Sequence, residues 1–166
     1  MSKGDVRIID AGGHNVVPVY QMRVEAAATA ILAGEPLKRG GTGSNYAIPL
    51  ATGDPEISAD LVIGISAGLS SETASADGLV DVYMPLPGII YGCAATTKAN
   101  VDTDAELLAL LLDRVAFDLT GAIYTVDENE GDAAAHGLLI VGGDIETGEM
   151  EFMIRHSATL MSNNDI

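Results

Sequence analysis

The sequence has no tryptophan, one cysteine and only two phenylalanines beside five tyrosines. Cys93 alone forms no intrachain disulfide framework and no cysteine zinc site. With so few rings to stack on sugars, a carbohydrate-binding face is disfavoured. The core is expected to come from Val, Ile, Leu, Ala and Met. Bases are scarce too: 8 Lys and Arg stand against 24 Asp and Glu, a formal net charge of −16. Such a surface repels phosphate backbones and anionic lipid, which argues against nucleic acid and membranes as partners. No apolar run approaches the roughly 18 residues of a membrane span. The segment from Met1 to Asp10 has no apolar run of signal-peptide length, so folding in a cytoplasm is expected.

What is present suits one globular domain. The chain has 166 residues, 48% of them hydrophobic, enough to enclose a core and too few for two comfortable ones. Nineteen glycines imply many turns, hence short strands rather than long helices. The charge is uneven. Residues 1–100 carry ten acids and six bases, a net of −4; residues 101–166 carry fourteen acids and two bases, a net of −12. The acidic half is expected to face solvent and the other half to meet a partner.

Along the chain, residues 1–15 read as an N-terminal arm, 16–160 as one β-rich domain and 161–166 as a polar tail. Val16–Val24 alternates as a strand, with Tyr20, Met22 and Val24 on one face and Val19, Gln21 and Arg23 on the other. Pro18 puts the start of that strand at an edge or outside the ladder. Glu25–Leu32 fits a helix or a strand. A hairpin, with Leu37–Arg39 as the return strand, is favoured. Further strands are expected at Tyr46–Ala51, Asp60–Ser66, Leu79–Met84, Ile89–Ala94, Gly121–Val126, Gly137–Val141 and Glu149–His156. One helix is expected over about 104–115. Thr103-Asp-Ala-Glu106 is its capping box, and Leu107, Leu108, Leu111, Leu112 and Val115 its buried stripe. Strands without strand–helix alternation argue against a parallel α/β sheet. The fold class is mainly β, a β-barrel or jelly-roll-like sandwich of short strands with one α-helix.

Motifs for chemistry are weak. Gly64-Ile-Ser-Ala-Gly68 matches the G-x-S-x-G nucleophile elbow of serine hydrolases. No helix pattern follows it, and the chain cannot supply the parallel sheet that builds the elbow. A small serine hydrolase using Ser66 is the enzymatic alternative; the expectation is no enzyme. Asp127-Glu-Asn-Glu-Gly-Asp132 has its glycine one place early for an EF-hand loop and Leu138 where the closing glutamate belongs, leaving open only an irregular cation site. His14, His136 and His156 lack local metal-ligand spacing. Gly41-Thr-Gly43 lacks the third glycine of a dinucleotide loop. Neither a metal nor a cofactor is expected.

Three segments carry a resemblance: Ala30-Ile-Leu-Ala-Gly-Glu-Pro-Leu-Lys38, Asp60-Leu-Val-Ile-Gly-Ile-Ser66 and Gly78-Leu-Val-Asp-Val-Tyr83. Over residues 25–94 the chain resembles the capsid decoration (cement, head-stabilising) proteins of tailed bacteriophages. The Ser/Thr-rich loop after Ser66 and the helix at 104–115 depart from that pattern. The resemblance implies a homotrimeric structural virion protein on the outer surface of an icosahedral head. Its partner would be the major capsid protein, whose subunits it would hold together. Another virion component, such as a tail-tube or fibre-base protein, is the structural alternative. The apolar patches near the N-terminus, Val6, Ile8, Ile9, Val16, Val17, Val19 and Tyr20, are the expected capsid or subunit contacts.

Overall fold

A computed structural model describes residues 6–57, 60–121 and 123–159. Its strands are β1 (Arg7–Asp10), β2 (Val19–Val24), β3 (Pro36–Gly40), β4 (Tyr46–Pro49), β5 (Val62–Ser66), β6 (Gly78–Tyr83), β7 (Ile90–Ala94), β8 (Arg114–Val115), β9 (Phe117–Thr120), β10 (Ile123–Val126), β11 (Leu138–Asp144) and β12 (Glu149–Ile154). The α-helix α1 spans Asp104–Leu110. One five-stranded sheet has the order β1-β7-β12-β11-β8, a second β2-β6-β5-β3-β4, and β9-β10 is a separate hairpin. Every pairing between these strands is antiparallel. The protein is a mainly β sandwich of short strands with one α-helix, as the alternating pattern predicts.

Alternation decides what each strand buries. On β12, Met150, Phe152 and Ile154 point inward while Glu149, Glu151 and Met153 lie half-exposed. On β6, Val80 and Val82 are buried while Leu79 and Asp81 are exposed. Aliphatic residues fill most of the larger core, but its centre is aromatic. Phe117 meets Phe152 and Tyr124 edge-on, at 5.5 and 5.9 Å between ring centroids, and Tyr91 stacks on Phe152 at 5.9 Å. The few rings in the chain are therefore concentrated where they fill the most volume.

A second, smaller core lies on the opposite face of the second sheet. It comprises Val24, Ile31, Leu37, Ala47, Ile63, Val80 and Val82, with Tyr20 and Met22 packed against them. The sheet curls around this cluster until its two outer strands, β2 and β4, come together through side chains. The Arg23 guanidinium lies 5.1 Å over the Tyr46 ring, and both residues bond Asp77.

Strand β5 serves both cores. Ile63 belongs to the small core, whereas Val62 and Ile65 belong to the large one. Ordinary alternation would put residues 63 and 65 on the same face. The register breaks here: Leu37 faces Gly64 but Lys38 faces Val62, a β-bulge. Gly64 adopts φ 153°, and a β-carbon there would overlap the Tyr83 carbonyl oxygen. Only glycine fits this position.

Several expectations are corrected. Residues 25–33 form neither strand nor helix, and β3 pairs with β4 and β5 instead of returning against β2. The segment is instead tied to the 66–77 loop. Ala27 N–H donates to Thr73 O and Ser70 N–H to Ile31 O, while Ile31 seals the small core. That burial overrides the helical preference of the alanines. The expected helix over 104–115 ends at Leu110. Its cap forms as read, with the Thr103 hydroxyl accepting from Glu106 N–H. Beyond it, Leu112 turns left-handed at φ 71° and gives its N–H to Ile140 O. Arg114 and Val115 then pair with β11. Pairing to β11 thus replaces the last helical turns. Leu107, Leu110 and Leu111 pack on the core, but Leu108 and Leu112 are exposed. Residues 117–120 are an additional strand. Of the N-terminal segment, Val6 lies in the large core and Arg7–Asp10 is built into the first sheet as its edge. The tail 161–166 lies outside the described residues.

Two predictions follow from this packing. Gly64→Ala should destabilise the fold by about 3 kcal/mol, from overlap plus unfavourable backbone, read as a lower urea midpoint at unchanged m-value. Buried tyrosines should differ. Tyr124 OH donates to Leu50 O at 2.7 Å, whereas among the described residues the enclosed Tyr91 OH meets no partner. Tyr124→Phe should cost about 1–2 kcal/mol, while Tyr91→Phe should be neutral or stabilising.

Candidate docking surface

The residues singled out for chemistry are held in structural bonds. Ser66 is the last residue of β5, and no helix follows it. Its hydroxyl donates to Leu32 O and accepts from Glu35 N–H at 2.9 Å, bracing the turn before β3. Ser66 also lines a cleft of about 330 Å³ between β1 and the second sheet, walled by Val6, Ile8, Gly34, Ile65 and Tyr83. Arg7, at its rim, is engaged by both Glu149 oxygens at 2.7 and 2.6 Å. Cys93 is buried in the large core, its sulfur 3.1 Å from Tyr124 O. His136 sets Nδ1 against Arg114 O at 3.1 Å and Nε2 at 3.4 Å from Glu130, while His14 and His156 are exposed.

The acids of 127–132 point to separate tasks. The buried Glu128 carboxylate accepts from Thr96 N–H, Thr97 N–H, Asn100 Nδ2 and Asn129 Nδ2 at 2.7–3.1 Å, fixing the 96–100 turn. Asp132 takes Arg114 Nε and Nη2 at 2.6 and 2.5 Å, plus Arg114 N–H at 2.9 Å. Among the described residues no three His, Cys, Asp or Glu side chains are placed to hold a metal ion. Among them, too, no helix is long and apolar enough to cross a membrane.

The seven expected contact residues divide. Val6 and Val17 are buried in the large core, which removes them from the surface, and Ile8 is half-buried against it in the wall of the cleft. Tyr20 packs on the small core and its hydroxyl donates to Ile63 O. Burial raises its pKa to about 12. Exposed are Val16 (77%), Val19 (49%) and Ile9 (39%).

The register of β2 and β6 assembles the rest of the surface. Val19 faces Tyr83, Gln21 faces Asp81 and Arg23 faces Leu79. Gln21 and Asp81 bond at 3.0 Å, leaving Val19 and Leu79 (45% exposed) as open apolar ends of one strip. This face is the outside of the curled sheet, beyond the part covered by the first sheet. β2 is an edge strand, as is β1, and edge strands present unpaired N–H and C=O groups. Leu79 is an exposed apolar residue outside the seven expected contacts. Its signal is legible in Leu79-Val-Asp-Val-Tyr83: period two places it beside Asp81 on the polar face. Comparison of the chain with protein-family models, with curated proteins and with solved structures finds no match.

Arg114 holds the Asp132 carboxyl well below the usual carboxylate range. A depressed folded pKa stabilises above the unfolded value, near pH 4, and the contribution fades as pH falls below it. Asp132→Asn should therefore flatten the acid limb of the stability–pH curve below about pH 4 and leave its shape near pH 7 unchanged, as thermal melts across pH would show.

Proposed function

We propose that this protein is a structural virion component that binds the outer surface of an icosahedral capsid and stabilises contacts between major capsid subunits. The observation that carries the reading is the strip on the outer face of β2 and β6, whose two ends are the exposed Val19 and Leu79 on either side of the Gln21–Asp81 pair. It stands against a background in which Ser66, Cys93, His136 and the 127–132 acids are engaged in bonds within the fold. The resemblance of residues 25–94 to bacteriophage capsid decoration proteins gives the strip its partner, the major capsid protein.

Each monomer offers only a few half-exposed aliphatic side chains, and fully burying one contributes roughly 1.5–3 kcal/mol before the cost of association. A single copy would hold weakly. A homotrimer presents three strips to a symmetric surface, and linked sites raise avidity by about 10²–10⁴ without new contacts. The acid-rich half, residues 101–166, then faces solvent and discourages aggregation of the decorated particle.

The test is occupancy on purified heads. Val19→Asp with Leu79→Asp should leave the melting temperature of the free protein within a few degrees and lower capsid occupancy at least tenfold. Unchanged occupancy would sink the docking face. Failure of the wild-type protein to bind heads, or hexameric rings in micrographs, would sink the capsid reading itself.

A further inference from the structure

Lys38 on β3 sits between two carboxylates in a way a simple ion pair does not need. Its Nζ donates to Asp54 Oδ2 at 2.7 Å and to Asp60 Oδ1 at 2.7 Å. Asp54 Oδ2 also accepts Ala51 N–H at 2.7 Å. Asp54 is buried, and its own carbonyl takes the Phe117 N–H at 2.7 Å, which anchors it beside the aromatic centre of the large core. Asp60 is open to water. A hydrogen bond of this length leaves the amine nitrogen roughly 3.5 Å from the carboxyl carbon, the separation of a near-attack conformer, which is reached once the carboxyl turns its face to the amine.

We propose that Lys38 and Asp54 condense into an intramolecular isopeptide bond, with Asp60 carrying the proton and Ala51 N–H steadying the oxyanion. In the reactive protonation state Asp54 is a carboxylic acid, Asp60 a carboxylate and Lys38 an ammonium. Lys38 passes one proton to Asp60. The freed lone pair attacks Asp54 Cγ, and the developing oxyanion is held by Ala51 N–H. Nζ then gives up a second proton to Asp60 as the hydroxyl departs. The Cγ–O bond breaks, one water leaves and the Nζ–Cγ amide remains. Atoms and charge balance without oxidant or reductant: Asp60 hands its first proton to the hydroxyl, takes the second from Nζ and releases that one to solvent.

The electrostatics favour these roles. Burial pushes the Asp54 pKa up, toward the protonated form, while the hydrogen bond from Lys38 holds Asp60 down, toward the ionised form. Burial also works to lower the Lys38 pKa, but the bonds and charges of Asp54 and Asp60 outweigh it. The amine therefore rests protonated, and the rate depends on how often Asp60 draws that proton away. The product would staple β3 to the turn between β4 and β5, closing a covalent loop between positions 16 apart and constraining the unfolded chain.

The experiment is intact mass spectrometry of the purified full chain after days near neutral pH, followed by proteolysis. The expected result is a chain one water lighter than its sequence, with a branched peptide joining Lys38 to Asp54. Lys38→Ala and Asp60→Asn should keep their full masses, and Asp60→Asn should retain a native circular dichroism spectrum. An intact mass equal to the sequence overturns the proposal. So does a missing water that maps to a cyclic imide at Asp77-Gly78, or full cross-linking in Asp60→Asn.

Discussion

The bulge at Gly64 is the constraint on which the architecture rests. A regular strand offers each sheet face every second side chain. β5 lies in the middle of the second sheet and must serve a core on each side, Ile63 for one and Val62 with Ile65 for the other. The inserted residue lets it do so, at the price of a backbone that no side chain tolerates against Tyr83. The curl of the second sheet, the plug formed by Ile31 and the seat of the first sheet all take their positions from that change of face. The small core fixes where β2 and β6 turn outward, and so determines that Val19 and Leu79 are left in the open.

Fold class and most strands were legible because period-two alternation is a local signal. Tyr20, Met22 and Val24 were placed on one face from sequence, and all three pack in the small core. What was not legible depends on contacts distant in the chain. Glu25–Leu32 has alanines that suit a helix, yet Ile31 is wanted in a core assembled from five strands. Leu108 and Leu112 fit a helical stripe, but the chain leaves the helix at Leu110 because β11 offers Arg114 and Val115 a ladder. Which of the expected contact residues are exposed was legible only in part. Val16, Val19 and Ile9 are exposed as the apolar patches suggest, whereas Val6 and Val17 lie within the sandwich, since an apolar patch by itself does not say whether its own fold will cover it. The exposure of Leu79 is legible in the period-two alternation of Leu79–Tyr83.

Electrostatics show a second economy. Arg7, Arg23, Lys38 and Arg114 each close on a carboxylate, with Glu149, Asp77, Asp54 with Asp60, and Asp132 respectively. With the cations so engaged, the surplus of acids stays largely uncompensated at the surface. Apart from the largely buried Lys38–Asp54 pair, these are exposed or half-exposed pairs, which add little stability at physiological salt. Their geometric effect is larger: Arg114–Asp132 sets the 127–132 loop against β8, and Arg7–Glu149 fastens the first strand across β7 to β12.

The seam of the curled sheet differs in kind from the rest of the wall. Neighbouring strands elsewhere are joined by ladders of backbone bonds, whereas β2 and β4 meet through Arg23, Tyr46 and Asp77. Side-chain contacts at an exposed site are weakened by ions and exchange faster than ladder bonds. The curled second sheet is therefore a wall with a latch: where its two outer strands meet, it is closed by side chains and not by a backbone ladder.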